Sequence, residues 1–373
     1  MRIGIITIHR IINFGSALQA YALQHYLEKT TEQEIELIDY VFPNSFHKKK
    51  KTSLKIIRGW VRITLDYLFE KKWTTIKKFH IFHKEYFKLS KEKYPSLYTL
   101  NKRPPIYDIY ITGSDQVWNP KTLNNDPCFY LCFAPKEKKK IAFSASFTIT
   151  RLDDKYKPLI KKRLSEYKYI GIREKKGIDI IKDLHLPNNI LIMNTCDPTL
   201  LLTQKDYDSL IKNPDIHIEG HYILVYMLMY AFNPYPALEY VLKELQDKTG
   251  YNIVVIGDRR FKYHKPYQFI KGIGPSEFLW LVKHASYIVT SSFHGTMFSL
   301  IYRKPFYAIS PHNEDSRIKD ILEIIKLDNR IIFCENKTPL ITTSNPYTLQ
   351  VESLLTKFIS SSKDFLGEAI KTV

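Results

Sequence analysis

The chain has 373 residues, and 56 Lys and Arg against 38 Asp and Glu give it a formal charge of +18 with the histidines neutral. With 44% apolar and 14% aromatic residues, 13 Gly, 19 Pro and no low-complexity tract, the composition excludes disorder. Single cores stop growing at roughly 250–300 residues, so the length predicts two domains.

The opening MRIGIITIHR is too short and too β-branched for the apolar core of a signal peptide and reads as a strand at 3–8. A polar turn at Asn13-Phe14-Gly15-Ser16 leads into a helix with Ala20, Leu23 and Leu27 at offsets of three and seven residues. Further strands are expected at 34–40, 106–112, 140–146 and 169–173, with helical stretches between them. Strand alternating with helix implies a parallel sheet. A second series begins after Pro214, with strands at 222–228, 252–257, 268–272, 287–290, 305–309 and 330–333 and helices at 236–248, 275–285, 295–302 and 316–327. A last helix, striped by Val351, Leu354, Leu355 and Phe358, can pack back onto either domain. The expected fold class is therefore α/β, with two Rossmann-like domains, 1–210 and 211–373, facing a cleft; the boundary falls between 200 and 218. Ligands of such chains bind where strand C-termini and helix N-termini converge.

The longest uncharged apolar stretches, 222–232 and 286–302, are interrupted before the roughly 20 residues that span a bilayer. Cys128, Cys132, Cys196 and Cys334 form neither a disulfide framework nor a CxxC knuckle, so reduced thiols and a cytoplasmic location are expected. His80 and His83 have no third ligand in view, and no metal is expected. There is no Walker A loop, GxSxG or HExxH.

Between 47 and 93 stand 15 Lys and Arg against 4 Asp and Glu, interleaved with Trp60, Tyr67, Phe69, Trp73, Phe79, Phe82, Tyr86 and Phe87. The pattern reads as one or two basic amphipathic helices inserted into the first domain. Such a segment suits an anionic membrane surface, or its aromatics pack onto the domain that carries them. Nucleic acid has no helix-turn-helix, RRM or zinc-finger pattern in its support.

Three strand-to-helix corners concentrate polar residues. In SYIVTSSFHGTMF a strand ends in Ser291 and Ser292, the pair His294-Gly295 follows Phe293, and from Gly295 and Thr296 a helix begins whose N-terminal N–H groups suit phosphate or carboxylate. Ser291 or Ser292 would serve equally as a plain N-cap. In IYITGSDQVWNP, Ser114, Asp115 and Gln116 gather hydrogen-bonding groups suited to sugar hydroxyls after Gly113, or cap a turn. The corner Asn13-Phe14-Gly15 lacks the GxGxxG glycines of a dinucleotide site. Arg173 ends a strand and faces the cleft, or forms a salt bridge to Glu174 or a neighbour. Arg317 and Lys319 open a helix whose dipole they oppose, which hints at an anion nearby.

Together IGIITIHRIINFGSALQAYALQHYL, DIYITGSDQVWNP, GIREKKG, CDPTLLL and SSFHGTMFSLIYRKPFYAI resemble the bacterial polysaccharide pyruvyl transferase family, from residue 1 to about 335 around the basic segment. The resemblance implies a GT-B-like pair of domains, the first on the acceptor side and the second on the phosphoenolpyruvate side. It implies transfer of the enolpyruvyl group onto two hydroxyls of a hexose, of galactose type, to give a cyclic pyruvate ketal and phosphate. By the same resemblance the family's His and Arg fall on His294 and Arg173 and its distal cation on Arg317, with Lys319 the close rival; His294 is inferred to be the general acid, and Asp115 is the candidate carboxylate to take the hydroxyl proton. Arg173, Arg317, Lys319, Ser291, Ser292, Phe293, Gly295 and Thr296 would hold phosphoenolpyruvate; Asn13, Phe14, Gly15, Ser114 and Gln116 would hold the acceptor. Phe14 stands where the family has Tyr before the Gly, which removes one hydroxyl. Phosphoenolpyruvate is the donor substrate and no cofactor is implied. The acceptor would be an undecaprenyl-diphosphate-linked oligosaccharide at the inner face of the cytoplasmic membrane, which gives 47–93 a purpose. The alternative is a nucleotide-sugar glycosyltransferase on the same scaffold.

Overall fold

The structure is a computed structural model, and it describes residues 1–41, 72–257, 259–311 and 316–371. The strands β1 (Arg2–Ile6), β2 (Glu34–Tyr40), β3 (Leu89–Tyr94), β4 (Ile109–Thr112), β5 (Lys139–Ala145), β6 (Tyr169–Ile172) and β7 (Leu191–Asn194) form one sheet. Its order is β3-β2-β1-β4-β5-β6-β7, with every pairing parallel. The strands β8 (Tyr222–Met227), β9 (Asn252–Gly257), β10 (Gln268–Phe269), β11 (Tyr287–Thr290), β12 (Phe306–Ser310) and β13 (Ile331–Phe333) form the other. Its order is β10-β9-β8-β11-β12-β13, again all parallel. Each sheet thus runs outward from its first strand in both directions, the doubly wound arrangement of Rossmann folds, and each has a switch point beside that strand: β1/β4 and β8/β11.

The central strands are short apolar runs, IYIT in β4, YILVYM in β8 and YIVT in β11, buried along their whole length because helices cover both faces of a parallel sheet. The helices that matter below are α1 (Phe14–Thr30), α2 (Lys72–Tyr86), α3 (Lys175–Asp183), α4 (Ala237–Thr249), α5 (Pro275–His284), α6 (Phe293–Ile301), α7 (Ser316–Ile324) and α8 (Leu349–Ile370). The chain divides into two compact units. The first comprises Met1–Lys50, His83–Leu202 and Thr356–Val373, and the second Lys51–Phe82 and Thr203–Leu355. The first core includes Trp118, which stacks on Tyr130 at 5.6 Å and donates its indole N–H to the Phe129 carbonyl at 3.0 Å. The second is built from β8, β9 and β11 side chains against Leu238, Val241, Leu242 and Leu245 of α4. In the first unit α8 meets β6, where Phe365 lies edge-on to Tyr169 at 5.9 Å.

Two expectations change. The segment at 47–93 does not end as helix: Leu89–Tyr94 is β3, the edge strand beside β2. Its sequence LSKEKY exposes Lys91, Glu92 and Lys93 in succession, as the edge of a sheet can, and so carries no apolar run. Of its aromatics, Phe79, Phe82 and Phe87 are buried and serve packing, whereas Trp73 is exposed. Lys48 to Lys51, Trp60, Tyr67 and Phe69 lie outside the described residues. Second, the helix expected from Gly295 begins at Phe293, which puts His294 inside its first turn.

Candidate functional site

Each unit carries a polar constellation at its own switch point. In the first, β4 ends at Thr112 beside Ile6 of β1, and the Gly113 N–H bonds to the Ile6 carbonyl at 3.1 Å. Gly113 has φ +110°, and a Cβ there would lie 2.2 Å from the Phe143 carbonyl oxygen, so only glycine fits. Asp115 follows in the left-handed region at φ 73°, which Asp tolerates better than most residues. The turn brings its carboxylate to the first turn of α1. Ser16 donates its hydroxyl to Asp115 Oδ2 at 2.7 Å, and the Gln116 N–H donates to Oδ1 at 2.9 Å. Asn13 caps α1 by accepting the Ser16 N–H at 3.1 Å, Phe14 and Gly15 open the helix, and the Gln116 side chain accepts from Asn119 at 2.9 Å.

Arg173, just past β6, is buried in the same cluster. Its Nη1 donates to Asp197 Oδ2 at 2.9 Å and its Nη2 lies 3.8 Å from Asp115 Oδ1. The pairing with Glu174 does not form; Glu174 accepts the Phe147 and Thr148 N–H groups at 2.8 and 3.2 Å instead. The Ser114 hydroxyl lies 3.0 Å from the Ser144 carbonyl and 3.1 Å from Asp197 Oδ2. Thr7, after β1, closes the corner by donating to the Ser114 carbonyl at 3.0 Å. Asp39, at the end of β2, is gripped by Arg10 and has His9 Nε2 at 3.5 Å. Burial opposes its ionisation, but the hydrogen bonds of His9 and Arg10 outweigh burial and hold its carboxyl below the usual range.

In the second constellation β11 ends at Thr290 beside Tyr226 of β8, and the Ser291 N–H bonds to the Tyr226 carbonyl at 3.2 Å, the counterpart of Gly113 to Ile6. The hydroxyls here are spent on stitching the corner together. Thr290 donates to the Tyr226 carbonyl at 2.7 Å and accepts the Ser292 N–H at 3.0 Å, and Ser291 accepts the Leu228 N–H at 2.8 Å. Ser292 is the N-cap of α6, accepting the Gly295 N–H at 3.2 Å, and Thr296 bonds back to the Ser292 carbonyl. His294 is buried in the first turn, edge-on to Phe293 at 5.2 Å. That turn contains no acidic residue. Arg317 and Lys319 sit on α7, which packs against α6; Lys319 is 3.7 Å from Glu323.

The two corners therefore differ in charge. At the first, Asp115 is seated against the N-terminal turn of α1, and with Asp197 it brackets one guanidinium. At the second, no acidic residue stands in the first turn of α6, whose N–H groups carry a partial positive charge, while α7 beside it carries Arg317 and Lys319 together with Asp320 and Glu323, the last 3.7 Å from Lys319. Residue patterns do not single out Asp197, Ser16, Thr7, His9, Arg10 or Asp39 as site residues. A signal for Asp197 exists in Asp-Pro-Thr after a short apolar run, the mark of a capped turn. Among the described residues no cluster of three or more His, Cys, Asp or Glu could hold a metal ion, and no helix is long and apolar enough to cross a membrane.

Two Rossmann-type sheets with polar switch points define a GT-B fold, and solved structures agree. UDP-GlcNAc 2-epimerase from Methanocaldococcus jannaschii superposes with a TM-score of 0.54 at 15% identity, over 96% of this chain and 92% of that one. An S. aureus MnaA–UDP co-structure gives 0.51 at 11%, over 98% and 89%, and Arabidopsis thaliana UGT89C1 complexed with UDP-L-rhamnose gives 0.50 at 11%, over 98% and 97%. At such identities the likeness is one of fold. No curated protein matches the sequence. Residues 13–313 match the polysaccharide pyruvyl transferase family, and the chain belongs to it.

Proposed function

We propose that the protein transfers the enolpyruvyl group of phosphoenolpyruvate onto two hydroxyls of a hexose of galactose type, closing a cyclic pyruvate ketal and releasing phosphate. The observation that carries this reading is the division of charge between the two switch points. Phosphoenolpyruvate brings a phosphate and a carboxylate, which suit the first turn of α6, Arg317 and Lys319. A sugar brings neutral hydroxyls, which suit the carboxylate, hydroxyl and amide groups around Asp115. His294 protonates the methylene carbon, and the carbon bearing the phosphate becomes oxocarbenium-like. The first hydroxyl adds there and gives its proton to Asp115. The second hydroxyl then adds to the same carbon as the bond to phosphate oxygen breaks, and its proton leaves with the phosphate. Arg173 is proposed to bind phosphoenolpyruvate as well. Ser291, Ser292 and Thr296 act through the backbone they fix. The scheme needs no metal or nucleotide.

The acceptor proposed is a lipid-diphosphate-linked repeat unit at the cytoplasmic face of the membrane, with 47–93 holding anionic lipid. The experiment is phosphate release from phosphoenolpyruvate with a panel of lipid-linked and aryl-linked hexoses, wild type against His294→Ala. Acceptor-dependent release that the substitution abolishes supports the reading. Turnover of UDP- or GDP-sugars with none of phosphoenolpyruvate would replace it by glycosyl transfer.

A further inference from the structure

The first constellation is anchored by a residue that belongs to none of the groups assigned so far. Asp197 has a side chain with no solvent exposure, and both its oxygens are hydrogen-bonded. Oδ1 takes the Thr199 N–H at 3.0 Å and the Thr199 hydroxyl at 2.8 Å. Oδ2 takes Arg173 Nη1 at 2.9 Å and faces the Ser114 hydroxyl at 3.1 Å. One oxygen is thus locked to its own turn and the other reaches across β6 to the end of β4. The turn is itself pinned: Asp197 caps Pro198–Leu201, and the preceding Cys196 N–H bonds to Ser362 of α8 at 2.9 Å.

We infer that Asp197 is a positioning residue for pyruvyl transfer, fixing the Arg173 guanidinium in the geometry that receives phosphoenolpyruvate; the inference rests on the function proposed above. A guanidinium on a long stem samples many rotamers, and a planar fork held by a charge-assisted hydrogen bond has already given them up. The alternative resting place for Arg173 is Asp115, 3.8 Å from Nη2. Asp197 takes the shorter contact, 2.9 Å from Nη1, while the Asp115 carboxylate also accepts from Ser16 and Gln116. Because Asp197 is wholly enclosed, it acts through Arg173 and does not touch the reactants.

The test separates positioning from mere structural support through the split between KM and kcat. Asp197→Asn keeps the shape and the Thr199 bonds but removes the charge facing Arg173. It should raise KM for phosphoenolpyruvate about tenfold or more, with KM for the acceptor within about twofold, since a hydrogen bond to a charged group is lost. Thr199→Ala, which unlocks only the remote oxygen, should raise the same KM about threefold and guards against failure of the first variant to fold. A structural role would lower the active fraction, and so apparent kcat, with KM for phosphoenolpyruvate unmoved. Either that pattern or KM values within twofold of wild type in both folded variants overturns the inference and leaves the function standing. A wild type that releases no phosphate with any acceptor overturns both.

Discussion

Two glycines inside helices should answer the same substitution with opposite signs. Gly295 lies in the first turn of α6, where a Cβ would come 2.3 Å from Thr290 Oγ1 and 3.1 Å from both Thr290 Cβ and Tyr226 Cδ1. Thr290 cannot yield freely, since its hydroxyl bonds both the Tyr226 carbonyl and the Ser292 N–H. Overpacking of this kind costs about 1–3 kcal/mol, and weakening one buried hydrogen bond adds about 1 kcal/mol. The helix preference of Ala over Gly returns about 1 kcal/mol, leaving Gly295→Ala destabilised by about 1–3 kcal/mol. Gly367 lies in α8 with nothing within 4 Å of its would-be Cβ, so Gly367→Ala keeps the full helix gain of about 1 kcal/mol. For units of this size each kcal/mol moves Tm by roughly 2–4 °C. Differential scanning calorimetry should therefore show the second unit's transition falling by roughly 2–12 °C in Gly295→Ala and the first unit's rising by a few degrees in Gly367→Ala. The displaced first turn also carries His294, so phosphate release should fall in the first variant alone. A Gly295→Ala chain that melts with or above the wild type would refute the argument that close approach of Thr290 demands glycine.

Asp39 predicts a pH effect. Its lowered carboxyl stabilises the fold above the unfolded value of about 3.9 and loses that contribution as pH falls through the folded value. The Tm gap between wild type and Asp39→Asn should be widest from about pH 5 upward and shrink below about pH 4; a gap that is flat with pH would remove the ion pair from the account. Burial pushes the Cys196 thiol up to about 12 and Cys334 up to about 11, and raises Cys128 further. Burial raises the Cys132 thiol too, but Cys132 is the exposed one, so at pH 8 a disulfide reagent should meet it first and the other three only after denaturant is added. Ser16→Ala takes the hydroxyl from Asp115 Oδ2 and should cost about 1–3 kcal/mol in the stability of the first unit, with slower phosphate release. A neutral Ser16→Ala would mean that Asp115 does not depend on that bond.

Both sheets were legible in the order of residues because interior parallel strands are apolar on both faces and stand out as runs such as YIVT, with helical periodicity between them. The strands at Glu34–Tyr40, Asn252–Gly257 and Tyr287–Thr290 fall where the pattern places them. The strands left out were β3 and β7, the two edges of the first sheet. LSKEKY is exposed at three successive residues, Lys91 to Lys93, and in LIMN three residues are half-buried and one is exposed, so neither shows the run that marks burial on both sides. The charge of 47–93 masked β3 further, since a basic aromatic stretch reads as amphipathic helix until a neighbouring strand claims its end.

The candidate site divides along the same line. The residue types at the corners, Gly113 to Gln116 and Ser291 to Thr296, were visible because turn glycines, caps and a histidine are local chemistry written into a few consecutive positions. Their partners were not. Ser16 meets Asp115 across 99 positions, and Ser114 meets Asp197 across 83. Such pairs exist because β1 and β4 are neighbours and because β5, β6 and β7 follow in order, facts of strand order that no spacing in the chain encodes. The sequence by itself determined which corners are polar and that two doubly wound units would form, because hydrophobic periodicity and turn chemistry are local. Only the tertiary structure decided that Arg173 belongs to Asp197, because an ion pair buried between strands is settled by which segments the sheet sets side by side.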